Sequence, residues 1–118
     1  MVAGVFGLKR VYKKQKLDEW PEDPNFGYFG GGYAPSSLST IDRLDFSNET
    51  TSNPPANLPE ARQGLAAVSN SSYGYFGGGG NPDPLSSIDR LDFSSETTNS
   101  IPTTNLPQAR VGLAAVSN

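Results

Sequence analysis

The stretch GYFGGG at residues 27–32 decides the fold, because the same six letters return at 74–79. A second stretch, IDRLDFS at 41–47, returns at 88–94, so both stretches recur after 47 residues. A fixed period of about 20 to 50 residues indicates a repeat architecture, in which each unit buries its apolar face against its neighbours. The sequence therefore predicts a repeat protein.

The later part of the unit is copied as well. NLPEAR at 57–62 returns as NLPQAR at 105–110, and GLAAVSN at 64–70 returns at 112–118, both after 48 residues. The duplication therefore extends over the whole unit, and the distance between equivalent residues increases from 47 to 48 between its first and second parts.

Composition favours short strands joined by turns. The chain has 118 residues, of which 13 are glycine and 10 are proline, and it lacks the run of about 18 apolar residues that a membrane helix needs. Histidine and cysteine are both absent, so the commonest general base, the commonest metal ligand and thiol chemistry are missing. We therefore predict no enzyme, no catalytic site, no cofactor, no metal ion and no membrane insertion.

The chain divides into an arm and the repeats. Residues 1–26 form a basic anchor arm with a linker rich in proline and acidic residues, and residues 27–118 hold the repeats, 27–73 as the first and 74–118 as an incomplete second. Residues 1–16 carry five cations and no acid, whereas the remainder carries four arginines against twelve acids. Such asymmetry is typical of an interaction arm.

The conformation of the arm stays open between helix and strand. Leu8, Val11 and Tyr12 approximate helical spacing, whereas a strand would place Phe6, Leu8 and Tyr12 on one face, with a charge interrupting it. We predict an extended or partly helical arm. Prolines in the linker forbid a regular helix around Trp20, which we expect to be a buried anchor.

The arm is the predicted partner-binding segment. Cations interleaved with aromatic residues satisfy a weak form of the nucleic-acid pattern, but the acidic body opposes nucleic acid. We therefore predict docking onto an acidic protein surface and no nucleic-acid binding. The predicted anchor residues are Phe6, Leu8, Lys9, Arg10, Val11, Tyr12, Lys13, Lys14, Lys16 and Trp20.

Each repeat predicts several short strands. The aromatic pair at 28–29 ends a strand that runs into glycines, the alternation over 41–46 predicts a second strand, and 49–51 begins a short, irregular outer strand. Small and branched apolar residues at 62–68, and in the copy at 110–116, predict a packed inner strand. The predicted repeat-structural residues are Gly30, Gly31, Gly32, Arg62, Gly77, Gly78, Gly79 and Arg110.

Two patterns invite a chemical interpretation. The glycine clusters lack the lysine and the Ser/Thr of a phosphate-binding loop, so we interpret them as close strand turns. Four aspartates recur at matching positions: Asp42, Asp45, Asp89 and Asp92. The two acids of each D-R-L-D point to opposite faces of a strand, which favours Asp–Arg pairing or turn capping over a metal site. We also expect Arg43 and Arg90 to pair with acids on neighbouring strands.

The repeat resembles the kelch motif, through an arginine, a small apolar strand, an aromatic strand that ends in glycines and a strand that ends near a polar turn. The matching positions are Arg62, Arg110, 66–68, 114–116, Tyr75, Phe76, 30–32 and 77–80. The resemblance implies an all-β fold, a partial kelch-type β-propeller of about two blades. The tryptophan of the motif, expected near 99–101, is absent here.

The amino-acid sequences of the repeat and of the arm also resemble those of tail proteins of marine tailed phages, through GLKRVYKKQ at 7–15 and WPE at 20–22. This resemblance implies a structural and binding protein of the virion tail. Its arm would dock to other virion or tail proteins, and its blades would contact a host surface or a partner. The alternative is a bacterial kelch-repeat protein that binds a protein or carbohydrate ligand in a compartment that the sequence leaves unknown.

The number of repeats leaves two explanations open. Propellers close with about four to eight blades, and fewer than two are present here. Either the chain is the front of a longer protein, which we expect, or several chains complete one another as a homo-oligomer.

Overall fold

A computed structural model of the chain describes residues 26–54 and 56–118. The predictions for the anchor arm, including the buried anchor at Trp20, lie outside these residues. The described part is all-β, as predicted, and consists of two antiparallel sheets joined by turns and loops. Within those two ranges no helix is long and apolar enough to cross a membrane.

Seven short strands build the two sheets. In chain order they are β1 Phe26–Gly30, β2 Ile41–Asp45, β3 Thr50–Ser52, β4 Ala66–Ser69, β5 Tyr73–Gly77, β6 Ile88–Asp92 and β7 Thr97–Ser100. The first sheet has the order β1-β2-β3 and the second the order β4-β5-β6-β7, with every neighbouring pair antiparallel. The predicted aromatic, alternating and outer strands are therefore confirmed, and the second sheet begins before residue 74.

The predicted inner strand forms once and not twice. In the first copy the strand is shorter than predicted, because β4 spans only Ala66–Ser69, where it pairs with β5. The prediction of a strand at 110–116 is wrong, since residues 101–118 contain none. A strand needs a neighbour for its hydrogen bonds, and no described strand pairs with this segment. The backbone of 110–116 instead makes three hydrogen bonds to loops and linking segments: Arg110 with Gly79 and with Leu85, and Gly112 with Gly64.

The core lies between the two sheets. Its fully buried apolar side chains are Ile41 of the first sheet, Phe76 and Leu91 of the second, and Leu58 of the segment that links them. Tyr28, Leu65 and Phe93 pack against this cluster. Neither sheet encloses a core of its own, which is the expected behaviour of a repeat unit.

The two sheets approach closely at a glycine. A Cβ atom placed on Gly30 would lie 2.8 Å from the ring of Phe76, closer than any real side chain tolerates. The equivalent position in the second repeat is Gly77, where the nearest atom would be Ile88 Cγ1 at 3.5 Å, an ordinary contact. The same residue type therefore meets a crowded environment in one repeat and an open one in the other.

We predict that Gly30→Ala lowers the free energy of unfolding by about 1–3 kcal/mol, because the new methyl group must displace the Phe76 ring. Gly77→Ala is the matched control and should change it by less than about 0.5 kcal/mol. Urea titrations followed by circular dichroism, at a concentration where the chain is monomeric, measure both values. Equal losses in the two variants would show that the close approach does not govern packing.

Candidate functional site

The backbone of Arg62 belongs to the first sheet. Arg62 lies in the segment between β3 and β4, and its N–H donates to the carbonyl of Leu38 at 3.0 Å. Its own carbonyl accepts from the N–H of Gly32 at 2.8 Å. Both partners lie in the loop between β1 and β2, so the side chain starts from a fixed point on the first sheet.

The side chain of Arg62 crosses to the second sheet and is 0% exposed there. Its Nη1 donates to the carbonyls of Gly78 at 2.7 Å and Ser87 at 2.9 Å. Its Nη2 donates to Ser87 Oγ and to Asp89 Oδ2, each at 3.0 Å. Because a guanidinium presents its donors in a fixed plane, this one side chain joins a loop and a strand of the second sheet to the first sheet.

Arg62 and Asp89 form an ion pair away from water. Asp89 is 1% exposed, and burial raises the pKa of its carboxyl, while the charge and hydrogen bonds of Arg62 act in the opposite direction. The Nε of Arg62 is also buried and has no acceptor among the described residues. Removal of Arg62 would leave Asp89 as an uncompensated buried charge. Removal of Asp89 would leave Arg62 only the longer ionic contact to Glu60 Oε1 at 3.6 Å.

A second polar contact between the sheets lies nearer to solvent, at Glu96. Its Oε2 accepts from Tyr28 Oη at 2.9 Å and from Arg43 Nη1 at 2.6 Å. Glu96 has a φ of 55°, and its N–H donates to the carbonyl of Asp92 at 2.7 Å, which fixes it at the end of the β6–β7 turn. Beside it the ring of Phe93 stacks on that of Tyr28, with centroids 5.6 Å apart. Arg43 pairs with an acid, as predicted, but this acid belongs to a turn of the other sheet and not to a neighbouring strand.

Two of the four recurring aspartates cap turns, as interpreted from sequence. Asp45 accepts from the N–H of Ser47 at 2.9 Å, and Asp92 accepts from that of Ser94 at the same distance. Hydrogen bonds from the serine hydroxyls, together with these backbone bonds, lower the pKa of both carboxyls. Among residues 26–54 and 56–118, no three metal-ligating carboxylates come together.

The predicted repeat-structural residues fall into two groups. Six lie at or beside the contact between the sheets: Gly30, Gly31, Gly32, Arg62, Gly78 and Gly79. A Cβ on Gly31 would lie 2.7 Å from the carbonyl of Arg62, so glycine there permits the linking segment to approach. The remaining two, Gly77 and Arg110, lie on the opposite side of the second sheet.

Arg110 repeats the backbone role of Arg62 but not the role of its side chain. Its N–H donates to the carbonyl of Leu85 at 3.2 Å, and its carbonyl accepts from Gly79 at 2.9 Å, which copies the bonds of Arg62 one repeat earlier. The residue is exposed, and its guanidinium makes no hydrogen bond to a described residue.

Sequence reasoning missed three residues of the contact between the sheets, which are partners of Arg62, Tyr28 and Arg43. Ser87, Phe93 and Glu96 were not singled out, although each lies in or beside a motif that recurs. Their partners are 25 to 68 positions away along the chain, so local patterns carry no sign of the pairing. The recurrence of the sequence could have identified Glu96, because it shows that Glu96 and its copy Glu49 are equivalent.

A groove of about 300 Å³ opens between the sheets, where β1 faces β4 and β5. It is lined by aromatic, small apolar and serine residues, with no charged side chain. The groove therefore offers no charged acid or base that could activate the serine hydroxyls in its lining.

The two long loops, residues 31–40 and 78–87, lie at the same end of the sheets, where Ser37 Oγ donates to the carbonyl of Gly80 at 3.2 Å. Tyr33 is 64% exposed in the first loop, and the segment 81–84 is exposed in the second. At these positions the repeats differ, with YAPSS in one and GNPDP in the other. The arrangement presents variable side chains on a constant frame.

No protein-family model matches the sequence, and no curated protein matches it. The kelch and phage-tail resemblances consequently rest on the quoted motifs.

We predict that Arg62→Ala destabilises the fold by about 3–5 kcal/mol, because Asp89 is left as a buried, unpaired charge. Arg110→Ala is the matched control, with the same backbone role and an exposed side chain, and should cost less than about 0.5 kcal/mol. Thermal unfolding of the monomeric chain separates the two. A mild effect of Arg62→Ala would show that the ion pair does not hold the sheets together.

We predict that stability falls at high pH through Tyr28. Burial, the hydrogen bond to Glu96 and the negative charge of that residue raise the pKa of Tyr28 from 10.0 to about 12. The folded state thus favours the protonated phenol, so its contribution is complete below the unfolded pKa and is lost as pH rises through the folded pKa. Unfolding free energies measured from pH 9 to about 12 should fall less steeply in Tyr28→Phe. Parallel slopes for wild type and variant would contradict this assignment.

Proposed function

We propose that the chain is a structural and binding component of a phage virion tail, in which the two sheets are blades of a partial kelch-type β-propeller. One observation carries the proposal. Two pairs of charged residues, Arg43 with Glu96 and Arg62 with Asp89, join the sheets, whereas the exposed loops at one end differ between the repeats. A constant frame with variable loops is the arrangement that binding proteins use.

Several features support the propeller. The second sheet has four antiparallel strands in chain order, as a blade has, and each sheet buries its apolar face against its neighbour. The arginine of the kelch motif, Arg62, joins consecutive sheets. The three described strands of the first sheet correspond to β5, β6 and β7 of the second sheet.

The loop end is the proposed surface for a host or partner. Tyr33 presents an exposed aromatic ring in a loop that also carries Ser36 and Ser37, and Asp83 adds a carboxylate from the next loop. An aromatic ring with adjacent polar groups suits a protein or carbohydrate ligand, since tyrosine supplies contact area at a small cost in conformational entropy. The arm, residues 1–26, is the proposed attachment to the particle.

Virions assembled with the altered protein test both halves of the proposal. Deletion of residues 1–16 should remove the protein from purified particles, as measured by immunoblot. Tyr33→Ala should leave it in the particles but weaken their adsorption to host cells by about tenfold, the effect of losing one aromatic anchor. Ser71→Ala, at the opposite end of the sheets, is the control and should adsorb normally.

Retention of the protein without residues 1–16 would contradict the attachment role, and normal adsorption of Tyr33→Ala would contradict the loop surface. Detection of the wild-type protein in bacteria that carry no phage would favour the alternative, a bacterial kelch-repeat protein.

A further inference from the structure

The contact between the two sheets is made by two different faces. The first sheet and its linking segment contribute Tyr28, Gly30, Arg43 and Arg62, and the second sheet contributes Phe76, Asp89, Phe93 and Glu96. Because the chain repeats after 47 or 48 residues, every one of these residues has an equivalent on an outer surface of the pair. The described structure thus holds one completed contact and both halves of another.

The outer surface of the second sheet carries the copies of the first set. We call it the arginine face, and it consists of Tyr75, Gly77, Arg90 and Arg110. Tyr75 pairs with Arg90 in the same register in which Tyr28 pairs with Arg43. The Arg90 guanidinium lies 4.6 Å from the ring of Tyr73, and that of Arg43 lies at the same distance from Phe26. The arginine face is therefore already arranged as its buried counterpart is.

The outer surface of the first sheet carries the copies of the second set. We call it the acidic face, and it consists of Phe29, Asp42, Phe46 and Glu49. Phe29 is 65% exposed and Phe46 56%, whereas Phe76, the copy of Phe29, is 4% exposed. Glu49 has a φ of 58° and is fixed by a 2.7 Å bond from its N–H to the carbonyl of Asp45, as Glu96 is fixed one repeat later.

Asp42 of the acidic face accepts a hydrogen bond at the same position as its buried copy, Asp89. Oδ1 of Asp42 accepts from Asn53 Nδ2, and Oδ1 of Asp89 accepts from Ser100 at the equivalent position. Oδ2 of Asp89 receives Arg62, while Oδ2 of Asp42 receives no donor from the described residues. This oxygen of Asp42 is thus the equivalent of the one that an arginine occupies in the completed contact.

We propose that a second copy of this chain binds head to tail, with the arginine face of one copy on the acidic face of the next. Arg110 then pairs with Asp42 of the next copy, and Arg90 pairs with its Glu49. The Phe29 ring of that copy packs over Gly77, and its Phe46 stacks on Tyr75. Positive and negative side chains meet at two points, and two exposed phenyl rings leave water.

A chain of copies joined in this way still exposes one arginine face and one acidic face at its ends until these two faces meet and close a ring. If each chain supplies two blades, propellers of about four to eight blades correspond to rings of about two to four copies. The inference is independent of any role in a virion, because it uses only the duplicated faces.

Light scattering coupled to size-exclusion chromatography of the 118-residue chain tests the inference. The wild type should form a closed oligomer. Arg110→Glu and Asp42→Arg should each weaken association by about a hundredfold, because like charges then meet. An equimolar mixture of the two variants should restore the oligomer, since each reversed charge faces its complement across alternating contacts. Ser71→Arg, which adds a cation at an exposed position outside both faces, is the control and should associate normally.

A monomeric wild type would overturn the inference, and so would a mixture that stays dissociated, which is the result expected for contacts between like faces. A wild type that is monomeric until residues 1–25 are deleted would also overturn it, by assigning the acidic face to the chain's own arm. Circular dichroism checks that both variants fold. If one does not, Arg90→Glu with Glu49→Arg provides a second, independent pair for the same mixing experiment.

Discussion

The burial of one guanidinium group between two sheets is the constraint on which the rest of the described structure depends. Arg62 starts from a backbone fixed to the first sheet and ends on a loop and a strand of the second. Glycines must line its path, because the linking segment passes within contact distance of two loops. The carboxylate of Asp89 must be buried beside this guanidinium, since burial of an unpaired cation costs free energy. The apolar core is assembled around this pair and belongs to neither sheet alone.

Local patterns predicted most of the strands. Aromatic residues that run into glycines marked β1 and β5, and alternation marked β2 and β6, because both patterns depend on geometry within a few residues. The same reasoning failed at 110–116. The letters GLAAVSN occur twice and include a strand only at Ala66–Ser69, where β5 supplies hydrogen-bond partners. Identical sequence thus has two structures, and the difference lies in the neighbour.

The sequence predicted single residues of the candidate site but not the pairs that they form. Arg62 was singled out because the kelch resemblance includes an arginine, and Asp89 because its motif recurs. Their partnership, and the role of Glu96, depend on contacts between residues 27 and 53 positions apart, across two units. Such pairings follow from the packing of the sheets, which no single motif encodes. One comparison of repeats does carry information about them: packing positions are the same in both copies, whereas the exposed loops differ.

The contact between the sheets also bears on how such a gene can change. Each unit presents one kind of face forwards and the other backwards, so the surface created by adding a unit is the surface that was there before. An in-frame duplication of about one period, as unequal recombination between near-identical DNA segments produces, therefore leaves the existing packing contact intact and adds an equivalent one. The length of the array can drift while its chemistry stays constant, and selection can act on the loops of each unit separately.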